Sequence, residues 1–356
     1  MRQTPLHEEH KALNAKIVDF HGWAMPLQYA GIVDEHKHTR AKAAVFDCSH
    51  MGEFILKGAE AVAGYDALVI SDVGKIRTGR SRYGAILNPN GGIIDDAITF
   101  RMSEEELYVV TNAGTLEQIS ALLTALPGDV RDVSAETAKI DVQGPQARET
   151  LLAIGMDAAA DMRYFSQRRI QWQGEEILLS RTGYTGELGF EIYVSNERAV
   201  PLWRALLDLA PTAPAGLGAR DTLRMEAGYP LSGQDFDENR TPLEANMEMF
   251  VGWDSEFPGK DRLLKQKEAG GYSMLTPIRT PDRRAPRRGF EVYGANGEAI
   301  GEVTSGSFGP SVGHGAGFAY LPQDCRAPGT QLTAGPRRLP IEAAEAPLYK
   351  QGTVRN

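Results

Sequence analysis

The spacing of apolar and polar positions divides the chain into segments of different period. "GIVDEHKHTRAKAAVFDCSH", Gly31 to His50, begins with helix-forming residues and switches to a short apolar run ending at Asp47, which predicts a helix followed by a turn or strand. "GEFILKGAEAVAGYDALVI", Gly52 to Ile70, predicts a short strand and then an amphipathic helix carrying Ala61, Ala63, Tyr65, Leu68 and Val69 on one side. From Arg82 to Val110 the period drops to two. "SRYGAILN", a turn at "PNGG", "IIDDAITFR" and "ELYVVTNA" predict a meander of three antiparallel strands. The helix "TLEQISALLTAL" follows and stops at Pro127 and Gly128.

The order then recurs. "KIDVQGPQARETLLAIG" reads strand, turn, helix; "RRIQWQGEEILLSRTGYTGELGFEIYV" reads as three strands with two turns; "ERAVPLWRALLDLA" reads as a helix. New units begin near Met51 and near Ala138, and the pattern predicts two related α+β units without a recognisable sequence repeat. A Pro- and Arg-rich connection, Thr276 to Arg288, separates off short strands with Gly-rich turns, "GFEVYG", "AIGEVTSGSF", "HGAGFAYL" and "QLTAGPRRLPIEAAEAPLY", which predict a small β-barrel or sandwich.

A length of 356 residues fits two or three domains, and 42% hydrophobic with 24% charged residues is the composition of a folded globular chain. The net charge of −9 argues against a general nucleic-acid binder, whose basic footprint would dominate. A local basic patch does exist at "RTPDRRAPRR", where Arg279, Arg283, Arg284, Arg287 and Arg288 crowd together; a solvated loop and a docking surface both fit it. Cys48 and Cys325 form no CxxC pair, which points away from a zinc site or disulfide framework and toward a reducing compartment. The N-terminus lacks a signal-peptide core, and no apolar stretch approaches the ~18 residues of a membrane span, so a cytoplasmic, non-membrane protein is expected.

Three places carry candidate chemistry. Asp95 and Asp96 sit side by side in an apolar strand, where adjacent residues face opposite sides. One carboxylate can then point inward while the other meets solvent or caps a turn; the inward one either pairs with a basic group or backbone amides, or sits in a cleft with a tuned pKa. "RTGYTGELGFEIYV", Arg181 to Val194, combines three glycines with aromatics and with Glu187 and Glu191, but lacks the Lys-Ser/Thr of a phosphate loop and leads into a strand. Glu191 there could hold an amidine-like donor edge such as a pterin through two parallel hydrogen bonds, or be an ordinary surface glutamate. Arg220, near the start of the helix in "GLGARDTLRMEAG", opposes the helix dipole and so suits a ligand carboxylate or a neighbouring acid. "FHGWAMPLQY", with His21, Trp23, Met25 and Tyr29, suits a ligand wall or core packing. No HExxH motif occurs, which sets aside metalloprotease chemistry.

Taken in order, "TPLHEEH", "VDFHGWAMPLQY", "VFDCSHMGEF", "NPNGGIIDDAITF", "LYVVTNAG", "VQGPQA", "RTGYTGELGFEI", "GLGARDTLRMEAGYPLSGQD", "EVTSGSFGPSVG" and "LYK" resemble the aminomethyltransferase family, the T protein of the glycine cleavage system, over nearly the whole chain. The resemblance implies a three-domain cloverleaf with tetrahydrofolate in a central hole: residues 1–50 with 138–245 as a discontinuous folate-binding α+β domain, 51–137 as a second carrying Asp96, 246–275 as a connection and 276–356 as the barrel. It implies transfer of an aminomethyl group from the lipoyl arm of H protein, with release of ammonia and formation of 5,10-methylenetetrahydrofolate. By the same resemblance Asp96 is the catalytic carboxylate, Met51, Tyr83 and Asn112 line the folate site, Glu191 grips the pterin, Arg220 is a ligand-site arginine, Tyr349 lies near the folate and Arg287 helps position the lipoyl-bearing partner. Related proteins demethylate small substrates such as dimethylsulfoniopropionate or methylated amines without H protein, and a folate binder without transfer activity is a third reading. The segment "EANMEMFVGWDSEFPGKDRLL" departs from the family pattern at Met247 to Phe250, on the substrate side.

Overall fold

The five-stranded sheet is built from the meander that the two-residue period predicts. In the computed structural model, which describes all 356 residues, its order is Ser81–Leu87, Ile93–Ser103, Glu106–Thr111, Gly52–Lys57 and Asp129–Asp132. Alternation sends Phe54, Leu56, Leu107 and Val109 to one face, where Ala61 and Tyr65 of the helix Ala59–Asp66 and Ile119 and Leu123 of the helix Leu116–Thr124 cover them. The turn before Ile93 is held by Asn88, whose side-chain oxygen accepts from the N–H of Asn90 at 2.9 Å and of Gly92 at 3.1 Å. Gly91 has φ +83°, and a Cβ on Gly92 would lie 1.7 Å from the Glu238 carbonyl, so the turn demands both glycines.

A six-stranded sheet runs in the order Gln167–Trp172, Glu175–Ser180, Gly189–Ser195, Thr137–Gln143, Ala43–Asp47 and Thr212–Pro214. One face is apolar: Val45, Ile140, Val142, Phe190, Ile192 and Val194 pack with Leu151 of the helix Ala147–Ala153 and with Leu202, Trp203 and Leu206 of the helix Asn196–Leu207. The other face of the same strands is polar yet buried, with Lys139, Asp141, Gln143 and Glu191 all turned inward. The two sheets meet where Phe100, Tyr108, Val110, Leu178 and Tyr193 pack together.

Six strands close a barrel: Met274–Arg279, Gly315–Leu321, Ala299–Phe308, Glu291–Tyr293, Gln331–Ala334 and Leu339–Ala343. Its first strand lies where the sequence predicts a connection, and the expected boundary between 275 and 276 cuts through it. The Pro-Arg composition hid it. Pro277 has no N–H to give a ladder, yet its carbonyl accepts from Ala344 N at 2.8 Å, while Leu275 and Ile278 are buried. The expected connection 246–275 also contains the helix Lys260–Ala269, whose Leu263 is buried against Leu87 and Ile93 of the five-stranded sheet.

The helix Leu217–Ala227 ties the units together. Leu223 packs against Phe46 and Cys48 of the six-stranded sheet, while Arg224 donates to Asp235 at 2.7 Å and to Ser305 of the barrel at 2.9 Å.

Candidate active site

At the junction of the three units lies a cavity of about 1220 Å³, to which each contributes side chains. Met51, Tyr83, Asp96 and Asn112 come from the five-stranded unit, Lys139 and Glu191 from the six-stranded sheet, Arg220 from the helix Leu217–Ala227 and Tyr349 from the C-terminal segment. The structure thus brings together seven of the eight residues singled out in the sequence. The eighth, Arg287, is exposed on the loop before the barrel strand Glu291–Tyr293 and is not part of the cavity wall.

Strand register explains the Asp96 corner. Ile98 pairs with Val110, which sets Asn112 opposite Asp96, and Ala85 pairs with Asp96, which puts Tyr83 on the same face as a diagonal neighbour. The Asn112 side-chain amide donates to Asp96 Oδ1 at 2.6 Å and to Asp95 Oδ1 at 2.8 Å. Asp95 also accepts from the Asn112 backbone N–H at 2.9 Å and from Ser232 Oγ at 3.1 Å. The expectation that one of the pair meets solvent or caps a turn while the other faces inward is therefore corrected: Asp95 is also fully buried, accepting from a backbone amide and from side chains. Burial, and then the Asp95 carboxylate beside it, push Asp96 up to about 7, while burial also raises Asp95. Burial and the neighbouring Asp96 raise the Tyr83 phenol well above its ordinary value.

Glu191 lines the same cavity and is almost fully buried. Its Oε1 accepts from Lys139 Nζ at 2.9 Å, and its Oε2 from Thr182 Oγ1 at 2.6 Å and Tyr193 OH at 3.0 Å. Arg220 donates to Asp141 Oδ2 at 2.9 Å and lies 5.1 Å from the Tyr184 ring centre, so of the two uses open to it the neighbouring acid is engaged while the residue still lines the cavity. Met51 packs between two clusters, one around Phe46 and one around Tyr108. The Tyr349 ring lies 4.3 Å from the Arg40 guanidinium, which itself donates to Glu187 at 2.8 Å and Glu226 at 3.1 Å.

The segment with His21, Trp23, Met25 and Tyr29 divides between its two readings. It forms the hairpin Lys16–Phe20 and Trp23–Gln28, from which Phe20, His21 and Leu27 reach the cavity, whereas Met25 is buried in the core and Tyr29 bonds His10 at 2.9 Å. At the departure from the family pattern, Met247, Met249 and Phe250 line the cavity, and Phe250 meets the Tyr83 ring edge-on at 4.8 Å. In the basic patch, Arg279 pairs with Glu342 and Arg284 with Asp282, and Arg283 lies over Phe308, which leaves Arg287 and Arg288 pointing to solvent. No group of three or more His, Cys, Asp or Glu is placed to hold a metal ion, and no helix is long and apolar enough to cross a membrane.

Residues 6–255 match the GCVT N-terminal domain, and residues 274–350 match the glycine cleavage T-protein C-terminal barrel domain. The chain belongs to the aminomethyltransferase family. Aminomethyltransferase from Saccharopolyspora erythraea is 40% identical over 361 residues, covering 98% of each chain. The protein of that name from Thermotoga petrophila is 40% identical over 365 residues, covering 100% of this chain and 99% of its own. The crystal structure of glycine cleavage system aminomethyltransferase T from Bartonella henselae superposes with a TM-score of 0.93 at 32% identity, covering 99% of both chains. Membership makes the protein a transferase with the three-unit fold of that family.

Sequence reasoning passed over Lys139, Asp141 and Arg40. A signal for the first two was present, because Lys-x-Asp in a strand puts both charges on one face. For Arg40 none was: it lies in the helix Ile32–Ala41, and its partners Glu187 and Glu226 are distant in sequence.

Proposed function

We propose that the protein is the tetrahydrofolate-dependent aminomethyltransferase of glycine cleavage, which takes the aminomethyl group from the lipoyl arm of H protein, releases ammonia and forms 5,10-methylenetetrahydrofolate. The observation that carries this reading is one carboxyl pushed up to about 7, Asp96, lining a cavity whose wall also offers the buried Glu191 carboxylate and the Arg220 guanidinium. The donor set fits a folate. Glu191 offers acceptors to the N–H edge of a pterin, Tyr83, Tyr184 and Phe250 offer ring surface, and Lys350 and Arg355 in the wall offer charge to an anionic tail.

Tetrahydrofolate, when bound, supplies the nucleophilic nitrogens that take up the one-carbon unit. The residues of this chain do the rest. Loss of ammonia from the N,S-acetal of the donor develops positive charge on carbon, and Asp96, aimed by Asn112, stabilises that charge from a fixed position in a water-poor site. Being close to half-ionised near neutrality, Asp96 can also pass a proton in either direction. Burial holds Asp96 in that range, with like-charge repulsion from fully buried Asp95 adding to it. The exposed Arg287 and Arg288 suit an acidic surface on H protein. We assign the chain to a folate-binding unit of residues 1–50 with 138–245, an Asp96-bearing unit of 51–137 and a barrel that begins at Met274.

The test supplies the protein with tetrahydrofolate and aminomethylated H protein and follows ammonia and methylenetetrahydrofolate together. Both are expected to appear. Product only with a small methylated donor would replace the donor, and no product with any donor would leave a folate-binding protein.

A further inference from the structure

Two charged residues of the polar sheet face have no role in the reading above. Lys139 and Asp141 are both buried, and they stand two positions apart on the strand Thr137–Gln143, on the face that carries Glu191 on the next strand. Lys139 Nζ donates to Glu191 Oε1 at 2.9 Å and to Asp141 Oδ1 at 2.6 Å, while Arg220 donates to the other oxygen, Asp141 Oδ2, at 2.9 Å. The four groups alternate in sign, Glu191, Lys139, Asp141, Arg220, and end on the two that offer a ligand an acceptor and a donor. We propose that Lys139 and Asp141 are positioning residues, a neutral pair inserted between Glu191 and Arg220 that locks these two folate-facing groups to one another and aims the Glu191 carboxylate at the cavity.

The physics follows from burial. An isolated ion in such a place is expensive, and removing one partner of a buried pair leaves the other uncompensated, whereas removing both members together is often neutral. Burial works against the Lys139 ammonium, but Asp141 and Glu191 outweigh it and raise its pKa; burial likewise opposes Asp141, which Lys139 and Arg220 hold below the usual carboxylate range. The other titratable groups facing the four are Cys48, whose thiol donates to Asp141 at 3.4 Å, and Glu53, His50, Tyr108, Tyr184 and Tyr193. Burial leaves His50 lowered to about 4, raises the thiol and the three phenols, and pushes Glu53 well above the carboxylate range. Of these Glu53 is the one that could mask Glu191, so the test is run in its Gln background as well.

The proposal rests on the folate reading, and the experiment separates the two. Binding of tetrahydrofolate is measured by calorimetry from pH 6.5 to 8.5 for the parent, Lys139→Met and the charge-balanced Lys139→Met/Asp141→Ala, each with and without Glu53→Gln. Asp96 titrates alike in all of them, so the quantity read is the ratio of variant to parent Kd. For Lys139→Met it should be at least ~10-fold at pH 6.5, where buried carboxyls left without their ammonium are most readily neutralised, and should shrink toward pH 8.5. The double variant should recover part of that loss, because neither charge is left uncompensated, and stay ~3-fold or more weaker than the parent at every pH, because Glu191 and Arg220 are no longer linked. A Lys139→Met ratio near one or independent of pH overturns the proposal, as does a double variant that is as weak as the single, matches the parent or fails to fold. Should Lys139→Met itself fail to fold, the double variant decides by the same criterion. A parent that does not bind tetrahydrofolate overturns the folate reading and this proposal with it, while binding by the parent with no change in the variants overturns this proposal alone.

Discussion

Asp95 and Asp96 share one donor, the side-chain amide of Asn112, yet only Asp96 lines the cavity. A carboxyl raised from its ordinary value of 3.8 to about 7 favours the folded state at low pH, and that contribution is lost as pH rises through the folded value. Asp96→Asn keeps the shape and removes the titration. Relative to the parent it should gain stability between about pH 4 and pH 7.5, by a few kcal/mol in all, because each tenfold difference in proton affinity between folded and unfolded chain is worth ~1.4 kcal/mol. Urea unfolding at pH 5 and pH 8 measures that gain. An equal difference at the two pH values would contradict it. The same variant should bind tetrahydrofolate nearly as before and lose about 10² or more in turnover, since the charge and proton it removes act in the reaction. Near-normal turnover would exclude Asp96 from the chemistry. The aspartate pair was visible in the sequence as an oddity, but the choice between its members rested on family resemblance. What the sequence could not convey was that Asp95 is also inside, because its partners Asn112 and Ser232 lie on other segments.

The helix Leu217–Ala227 shows the same division at the level of an element. Its end was legible: Gly228 stands just past the last helical residue, with φ +81°, the left-handed conformation glycine adopts most cheaply. Its surroundings were not, for a Cβ at Gly228 would come within 2.4 Å of Ala346 Cβ in the C-terminal segment. Gly228→Ala therefore carries left-handed strain of ~1–2 kcal/mol, and a clash besides. Thermal unfolding should shift downward. Because Tyr349 lies three residues beyond Ala346, tetrahydrofolate binding should weaken as well, which calorimetry can check; unchanged affinity would mean the segment does not shape the site. The barrel's first strand is the opposite case, an element whose proline and arginines read as a linker until five neighbours closed around the fold.

Across the whole molecule, buried ion pairs hold the three units around the cavity. Arg224 joins Asp221, Asp235 and Ser305, and Arg40 joins Glu187 and Glu226, while Glu226 accepts from Ser311 N at 2.8 Å. Arg224→Met would leave Asp235 buried without its guanidinium, at a cost of ~3–5 kcal/mol. Chemical unfolding should report that loss; a cost below ~1 kcal/mol would mean that Thr304 and the Leu231 N–H, which also donate to Asp235, suffice for it. The sequence by itself determined most of the strands and helices, because period and turn chemistry act over a few neighbouring residues, and missed the strand Met274–Arg279 and the helix Lys260–Ala269. It also presented the Asp95–Asp96 pair, Glu191 and Arg220 as chemistry out of place in their local setting. Only the tertiary structure decided how those groups are aimed and what surrounds them. The pKa of a buried carboxyl is set by what surrounds it in space, and around Asp96, Glu191 and Arg220 most of those neighbours arrive from distant parts of the chain.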